Sequence, residues 1–403
     1  MISVEEARDR ILAALPVLPG EQVGLLESFG RVLAEDVTAR RSQPPQAVSA
    51  MDGYAVKAAD VADVPATLQV VGEAPAGQAY EGRIASGETV RIFTGGPVPD
   101  GADSIVIQED TEREGDRVTV RETVKGGAFV RPEGLDFANG EALLKSGTVV
   151  TARNVGLAAA MNRPWLMVRR RPRVAILATG DEVVMPGDPA GPYQIVSSNA
   201  LALAAAVKTF GGDPLLLGIA ADRLDALQES IAAARGADLL VTTGGASVGD
   251  HDLVQEALGS GGLTLDFWRI AMRPGKPLMF GDMAGTPVLG LPGNPVSTMV
   301  CGLIFLKPAI ERMLGLPLDP GKMMKAAITQ PLPENDKRQD YLRATVQDSE
   351  NGPSVTPFEK QDSSMLSRLA KADALIMRKP FAPALNAGEE VDCLPLPAGL
   401  WRL

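Results

Sequence analysis

Histidine is nearly missing from this chain: His251 is the only one in 403 residues. HExxH zinc sites and multi-histidine metal cages are therefore excluded. A Ser-His-Asp triad would have to use His251, which lies between Asp250 and Asp252 in a glycine-rich loop, and is set aside. Cysteine is almost as scarce. Cys301 and Cys393 form no CxxC pair, which argues against a thiolate zinc site and a disulfide framework. An excess of basic charge is missing as well. The 39 basic residues stand against 50 acidic ones, a net −11, which is unlike a protein built to coat nucleic acid or an anionic membrane. A small basic pocket is still allowed. Long apolar runs are lacking too. The longest, Val296–Leu306, ends at Lys307 and falls short of the roughly 20 residues that a membrane helix needs. The opening MISVEEARDRILAAL carries acids early and no apolar core, unlike a signal peptide. A cytoplasmic protein with neither nucleic acid nor membrane as partner is the expectation.

Apolar residues make up 45% of the chain, enough for real cores. At roughly 100–200 residues per domain, the length predicts two to four domains. Ser3 and Glu6 form a capping-box pattern ahead of Ala7, Ile11, Leu12 and Leu15, which predicts an amphipathic first helix. A second apolar-periodic segment, Leu25–Val37, follows before the helix-breaking SQPPQ. From about Ser49 to Val150 short alternating runs predict a mostly β region, with strands near Thr67–Val71, Thr89–Phe93, Ser104–Ile107 and Arg117–Arg121. A helical stretch near Asn154–Met161 links it onward. Between Arg171 and about Gly321 strands alternate with helices. The strands are Val174–Ala178, Leu215–Ile219, Leu239–Thr243 and Val288–Leu291. The helices are Ala200–Phe210, Leu224–Ala234 with Asp222 as a possible cap, Leu253–Leu258, and a long one from Asn294-Pro295. This spacing predicts a parallel sheet covered on both faces, a three-layer α/β arrangement. The remainder, from about Lys322, reads as a small β-barrel or sandwich with a short helix near Met365–Ala370.

Three loops of the α/β part follow predicted strands, at the carboxyl ends where ligands of such sheets bind. The loop TTGGASVGD offers Gly244, Gly245, Ser247 and Gly249, whose backbone and hydroxyl donors suit an anion; its other reading is a tight turn that needs glycine. LGLPGNPVS offers Pro292, Asn294, Pro295 and Ser297, or simply a well-made helix start. ATGDE brings Glu182 behind a strand, as magnesium-phosphate sites often do, or forms an exposed acidic turn. Between them, FWRIAMRPGKP gathers Arg269, Arg273 and Lys276, an anion pocket or a solvated basic turn, with Trp268 and Met272 read as core. In the β part, SAMDGYAV with Asp52, IFTGGPVPDGAD with Thr94, and RPEGLD with Arg131 and Asp136 each read as turns when taken singly.

Taken together, SAMDGYAV, RIFTGGPVPDGAD, VRPEGLDF, ILATGDEV, VTTGGASVGDHD, MRPGKP and LGLPGNPVS occur in an order that resembles the molybdopterin molybdenumtransferase family, of the MoeA or gephyrin E-domain type. The resemblance spans nearly the whole chain. It implies a four-domain protomer that forms a homodimer. The implied parts are a first helix (1–19) packing on the α/β domain, a linking domain (20–40 and 141–170), a mostly β domain (41–140), an α/β molybdopterin-binding domain (171–321) and a C-terminal β-barrel (322–403). The implied reaction takes adenylylated molybdopterin and molybdate to molybdenum cofactor and AMP, with magnesium (Mg2+) as the divalent cation. A molybdopterin adenylyltransferase would act upstream, and molybdoenzymes or their chaperones downstream. Asp52 and Thr94 would come from the partner subunit, with Arg131 and Asp136 from the same β domain. Glu182, Asp222 and Asp252 would be the acids of the α/β domain and its metal ligands. Pro292, Pro295 and Ser297 would line the ligand loop, while Arg343 and Ser363 reach in from the barrel.

Two departures stand out. Arg269 and Arg273 occupy positions where the family commonly has lysine, which keeps the charge but widens the fork. Gln361-Asp362-Ser363-Ser364 has Asp362 where glycine is expected, which leaves room for altered anion affinity, including a preference for tungstate. Two rival readings remain: a non-catalytic molybdopterin-binding or scaffold paralogue, and an enzyme of another nucleotide ligand, such as one that adenylylates molybdopterin. The acids at Asp52, Asp136, Glu182, Asp222 and Asp252 weigh against the first.

Overall fold

In the computed structural model, residues 1–244, 259, 262–317, 323–350 and 352–396 are described. The chain opens with a helix, Val4–Ala14, started by Ser3, whose hydroxyl accepts the Glu6 N–H at 3.0 Å. Val4, Ala7 and Ile11 share one face and are buried, together with Leu15 and Leu18, in the same core as Val174, Ile176 and Phe305.

The apolar segment Leu25–Val37 is not helical. Leu25–Gly30 is a turn, and Val32 and Leu33 bridge to Val149 and Val168 as extended chain. Gly30, at φ 73°, takes the left-handed conformation that reverses the chain. Around it, Gly20–Gly24 pairs antiparallel with Trp165–Arg169, and Val37–Thr38 pairs with Ala142–Leu144. The helix Ala152–Ala160 closes this small unit over Leu33, Leu144 and Val168.

The mostly β region is a six-stranded sheet in the order Ser104–Ile107, Gly53–Val56, Glu88–Ile92, Ala66–Ala74, Arg117–Val120, Thr111–Glu114. The strand Gly53–Val56 was hidden within the motif that reads as a turn. All four of its residues are buried, and it lies between two neighbours. A Cβ at Gly53 would overlap the Val106 carbonyl, so only glycine lets these two strands approach.

The α/β region holds a second six-stranded sheet, ordered Asp213–Ala220, Arg173–Thr179, Leu239–Thr243, Thr286–Leu291, Met279–Met283, Leu263–Trp268. The first four strands are parallel. Met279–Met283 runs antiparallel to both its neighbours, so Leu263–Trp268 at the edge again runs with the first four, an arrangement that the strand–helix alternation did not disclose. Alternate residues of the strands face opposite ways. Val174, Ile176, Val241 and Leu289 meet the first helix, the helix Asn199–Thr209 and the helical run Pro295–Met313. Ala175, Leu177, Leu240 and Val288 meet the helix Leu224–Ala232 on the other side. Asp222 does not cap that helix; Arg223 holds the cap position and makes no side-chain cap bond. The expected helix Leu253–Leu258 lies outside the described residues. The run from Pro295 contains a π segment, Gly302–Leu306, before it resumes at Lys307.

The last region closes into a five-stranded barrel. Gln339–Gln347, Ser354–Pro357, Met324–Ile328, Glu390–Pro395 and Ala374–Arg378 pair in turn, and the last pairs back to the first. Closure leaves no edge except where it is used. There, Met272–Arg273 of the α/β region pairs parallel with Gln339–Asp340. Gly275, at φ 117°, lies against Cys301 and Met272, where a Cβ would stand 2.5 Å from the Cys301 sulfur. The glycine of MRPGKP is thus required by the packing that seats this segment.

The Gly53 contact predicts a measurable asymmetry. Gly53→Ala should cost about 1–3 kcal/mol by overpacking. Gly126→Ala, where an added Cβ meets nothing within 4 Å, should be neutral or slightly stabilising. Thermal melting of the two variants beside the parent checks both, and equal midpoints would contradict the close approach.

Candidate functional site

Three chain segments meet at the carboxyl edge of the parallel strands. Thr179 ends one strand and leads into Gly180, at φ 133°, Asp181 and Glu182. Thr243 ends the next and leads into Gly244, at φ 94°, where a Cβ would stand 2.7 Å from the Thr179 carbonyl oxygen. Leu291 ends the third and leads through Pro292 and Gly293 to the helix start at Asn294 and Pro295. Glycine at these points lets three backbones crowd together.

Asn199 ties the edge together. Its side-chain amide donates to Thr243 Oγ1 at 3.0 Å and to the Gly293 carbonyl at 2.7 Å. Nothing local in the sequence marks Asn199, because its partners lie 44 and 94 positions away. Thr298 secures the same loop, donating to the Asn294 carbonyl at 3.0 Å and also to that of Pro292. Pro292 and Ser297 are buried, while Asn294 is exposed. Among the described residues the buried Thr179 and Thr242 hydroxyls find no hydrogen-bond partner. Two helices, Asn199–Thr209 and the run from Pro295, start here and add the positive ends of their dipoles.

Acids flank this edge. The Asp222 N–H donates to Asp181 Oδ1 at 2.9 Å. Burial first, then the charges of Asp181 and Glu182, push the Asp222 carboxyl above its ordinary range. Asp181 therefore belongs with the acids, although the motif reading passed over it. The expected trio Glu182, Asp222 and Asp252 is not assembled among the described residues. Asp252 lies outside them, as do Gly245, Ser247 and Gly249, and no described group of three acids stands at metal-binding spacing.

The basic segment is engaged differently from a free anion clamp. Arg273 donates through Nε to Asp340 at 2.9 and 3.0 Å and also pairs with it through Nη2. Its Nη1 lies 3.5 Å from Asp336. Two carboxylates thus already offset its charge. Arg269, at φ 72°, stacks 4.2 Å over the Trp268 ring, and its buried Nε has no partner among the described residues. Lys276 is exposed. Met272 is core as expected, and Trp268 is half-buried.

Arg343 is also differently employed. It is 1% exposed and donates to Gln361 Oε1 at 3.1 Å and to the Asp362 carbonyl at 2.8 Å. Its guanidinium holds the loop that carries Ser363, whose own carbonyl accepts the Val296 N–H at 3.0 Å. The barrel loop is thereby docked on the helix start of LPGNPVS. The Asp362 carboxylate turns back on its own loop, taking the Ser364 N–H at 2.8 Å and hydroxyl at 2.6 Å. Those bonds, followed by the Arg343 charge, hold it below the ordinary carboxylate range.

The β sheet carries a second cluster. Asp52 Oδ1 accepts both the Thr94 N–H at 2.7 Å and the Thr94 hydroxyl at 2.8 Å. Those two bonds, then the Arg91 charge, lower the Asp52 carboxyl. Val130–Arg131 pairs with Val48–Ser49, and Ser49 exchanges bonds with Gly95 and Gly96, so Arg131 is carried beside the Asp52 and Thr94 loops. Asp136 is exposed, its N–H given to the Gln43 carbonyl. Among the described residues, no hydrogen bond or ion pair joins these four side chains to the α/β loops.

The raised Asp222 carboxyl sets the sign of a pH effect. A carboxyl raised on folding costs stability when ionised, and that cost vanishes as pH falls below its ordinary value. Asp222→Asn should therefore melt at higher temperature than the parent at pH 7 in the presence of a chelator. The gain should shrink toward pH 4. A lower midpoint at pH 7 would refute the crowding of negative charge.

Family models match along the chain: the MoeA N-terminal region (domain I and II) over 2–162, a probable molybdopterin binding domain over 175–312, and the MoeA C-terminal region (domain IV) over 325–396. A molybdopterin molybdenumtransferase of Nostoc sp. is 37% identical, covering 98% of this chain and 94% of its own. Molybdopterin molybdenumtransferase 2 of Mycobacterium tuberculosis is 36% identical, covering 93% and 95%. The crystal structure of a molybdopterin biosynthesis MoeA protein from Pyrococcus horikoshii superposes with a TM-score of 0.88 at 28% identity, covering 99% of this chain and all of its own. With all three regions matched in order and relatives above 30% identity over nearly their full lengths, the chain belongs to the molybdopterin molybdenumtransferase family.

Proposed function

We propose that this protein inserts molybdenum from molybdate into adenylylated molybdopterin and releases AMP, in the cytoplasm, as a step of molybdenum cofactor biosynthesis. The observation that carries the reading is the convergence of the Gly180, Gly244 and Gly293 segments, knotted by Asn199, at the carboxyl edge of the parallel strands. Such an edge suits an anionic ligand, and family membership supports a pterin one.

The ligand's phosphate groups lie on the backbone donors of the three loops and at the two helix starts. Lys276 and Arg269 supply positive charge to the dianionic molybdate. Arg273 and Arg343 act as positioning residues, through Asp340 and the Ser363 loop. Glu182 and Asp222 offer oxygen donors of the kind a hard cation takes, and the crowded negative charge at Asp222 is relieved by one. These two, with Asp252 as a further ligand, would hold magnesium, which neutralises charge at the pyrophosphate when bound. Asp52, Thr94, Arg131 and Asp136 stand on a separate sheet, and we infer that they act on the loops of a second copy in a homodimer. Asp52, held ionised by Thr94, orients water or a developing charge there and does not donate a proton. Supply comes from a molybdopterin adenylyltransferase, and molybdoenzymes or their chaperones take the product.

Mixing the protein with adenylylated molybdopterin, molybdate and magnesium should release AMP with formation of cofactor that activates an apo-molybdoenzyme. Bound ligand without AMP above background would instead support a scaffold. Asp52→Ala should lower turnover by about 100-fold or more while ligand affinity stays within a factor of a few. Parent-like rates in that variant would remove Asp52 from the chemistry.

A further inference from the structure

We propose that Arg91 is a positioning residue that braces the Asp52–Thr94 pair; this rests on the reading above, in which Asp52 acts at the reacting centre. Arg91 sits on the strand Glu88–Ile92, directly across from Tyr54 of Gly53–Val56. Its guanidinium lies 5.1 Å from the Tyr54 ring centroid and 4.9 Å from that of Phe93. Its edge donates to the Gly53 carbonyl at 3.1 Å through Nη1 and to Gln108 Oε1 at 2.7 Å through Nη2. Among the described residues it forms no ion pair with a carboxylate.

These contacts fall on both sides of the pair. Gly53 follows Asp52 in the chain, and Phe93 precedes Thr94. Gln108 donates its N–H to the Asp52 carbonyl at 3.0 Å. One planar group thus grips the neighbour of the carboxylate, the neighbour of its hydroxyl partner, and the residue that holds the carboxylate's backbone. Among the described residues the carboxylate itself is anchored by one oxygen only, Oδ1, on Thr94. Its direction depends on how the two chain segments sit relative to each other, and Arg91 touches both. A planar fork with two stacking faces can do this; the point charge of a lysine cannot.

The test uses the full-length protein in the AMP-release assay. Arg91→Lys and Arg91→Gln should each lower kcat by about 10-fold or more, because small misplacements of a reacting group cost rate steeply. KM for adenylylated molybdopterin and the melting temperature should stay at parent values. Amide hydrogen exchange over residues 92–96 should quicken in both, since the Thr94 N–H loses its fixed acceptor. Gln108→Ala, which removes one support, should show a smaller loss of the same kind. In an Asp52→Ala background, Arg91→Gln should add no further loss. Full activity in Arg91→Lys would show that charge alone suffices and overturn the brace. So would an undiminished loss in the Asp52→Ala background, or a melting temperature lowered by more than about 5 °C, the sign of a general structural defect. If Asp52→Ala itself turns over normally, the functional reading fails. If Asp52→Ala is inactive and Arg91→Gln is not, only the brace fails.

Discussion

The pairing of Met272–Arg273 with Gln339–Asp340 is the joint on which the candidate site depends. It carries a strand of the α/β region to the barrel and binds it with an ion pair. Asp340 is pushed up by burial and pulled back by Arg273. Such a pair adds modest net stability, because desolvation offsets attraction, but removal of one partner strands a buried charge. The joint is therefore better at specifying one arrangement than at stabilising it. Gly275 is held against Cys301 beside it, so the segment has little freedom to sit elsewhere.

From that joint the rest follows by contact. The barrel, once docked, presents the loop 361–365, which Arg343 stiffens and the Val296 N–H receives. That contact closes one side of the helix start at Asn294-Pro295. Asn199 closes the other. Arg343 of the barrel and Arg273 of MRPGKP fix loops and strands through their hydrogen bonds and ion pairs. This role is physically reasonable. A guanidinium committed to carboxylates and carbonyls is a poor free charge but a rigid support.

Much of the fold was legible in the residues. Apolar patterning located the first helix, which buries one face, and the parallel strands, which are short apolar runs buried on both. The motif Leu25–Val37 misled because two extended pieces joined by a turn can imitate a helical spacing. The antiparallel pair Leu263–Trp268 and Met279–Met283 was obscured by the basic motif between them. The strand Gly53–Val56 was obscured by the Asp-Gly turn signal ahead of it.

The sequence by itself determined the chemical limits of the protein. One histidine and two unpaired cysteines leave oxygen donors, hydroxyls, backbone amides and cations as the available chemistry. The glycines of the carboxyl-edge loops were legible too, because positive φ and close backbone approach select for glycine whatever the neighbours are. The tertiary structure alone decided what the polar side chains do. Asn199 became the knot of the site, Arg343 and Arg273 became supports, and Arg91 came to lie against Tyr54 and Phe93. Hydrogen bonds and ion pairs act within a few ångströms in space, and a linear spacing carries no record of partners that folding brings from as far as 94 positions away.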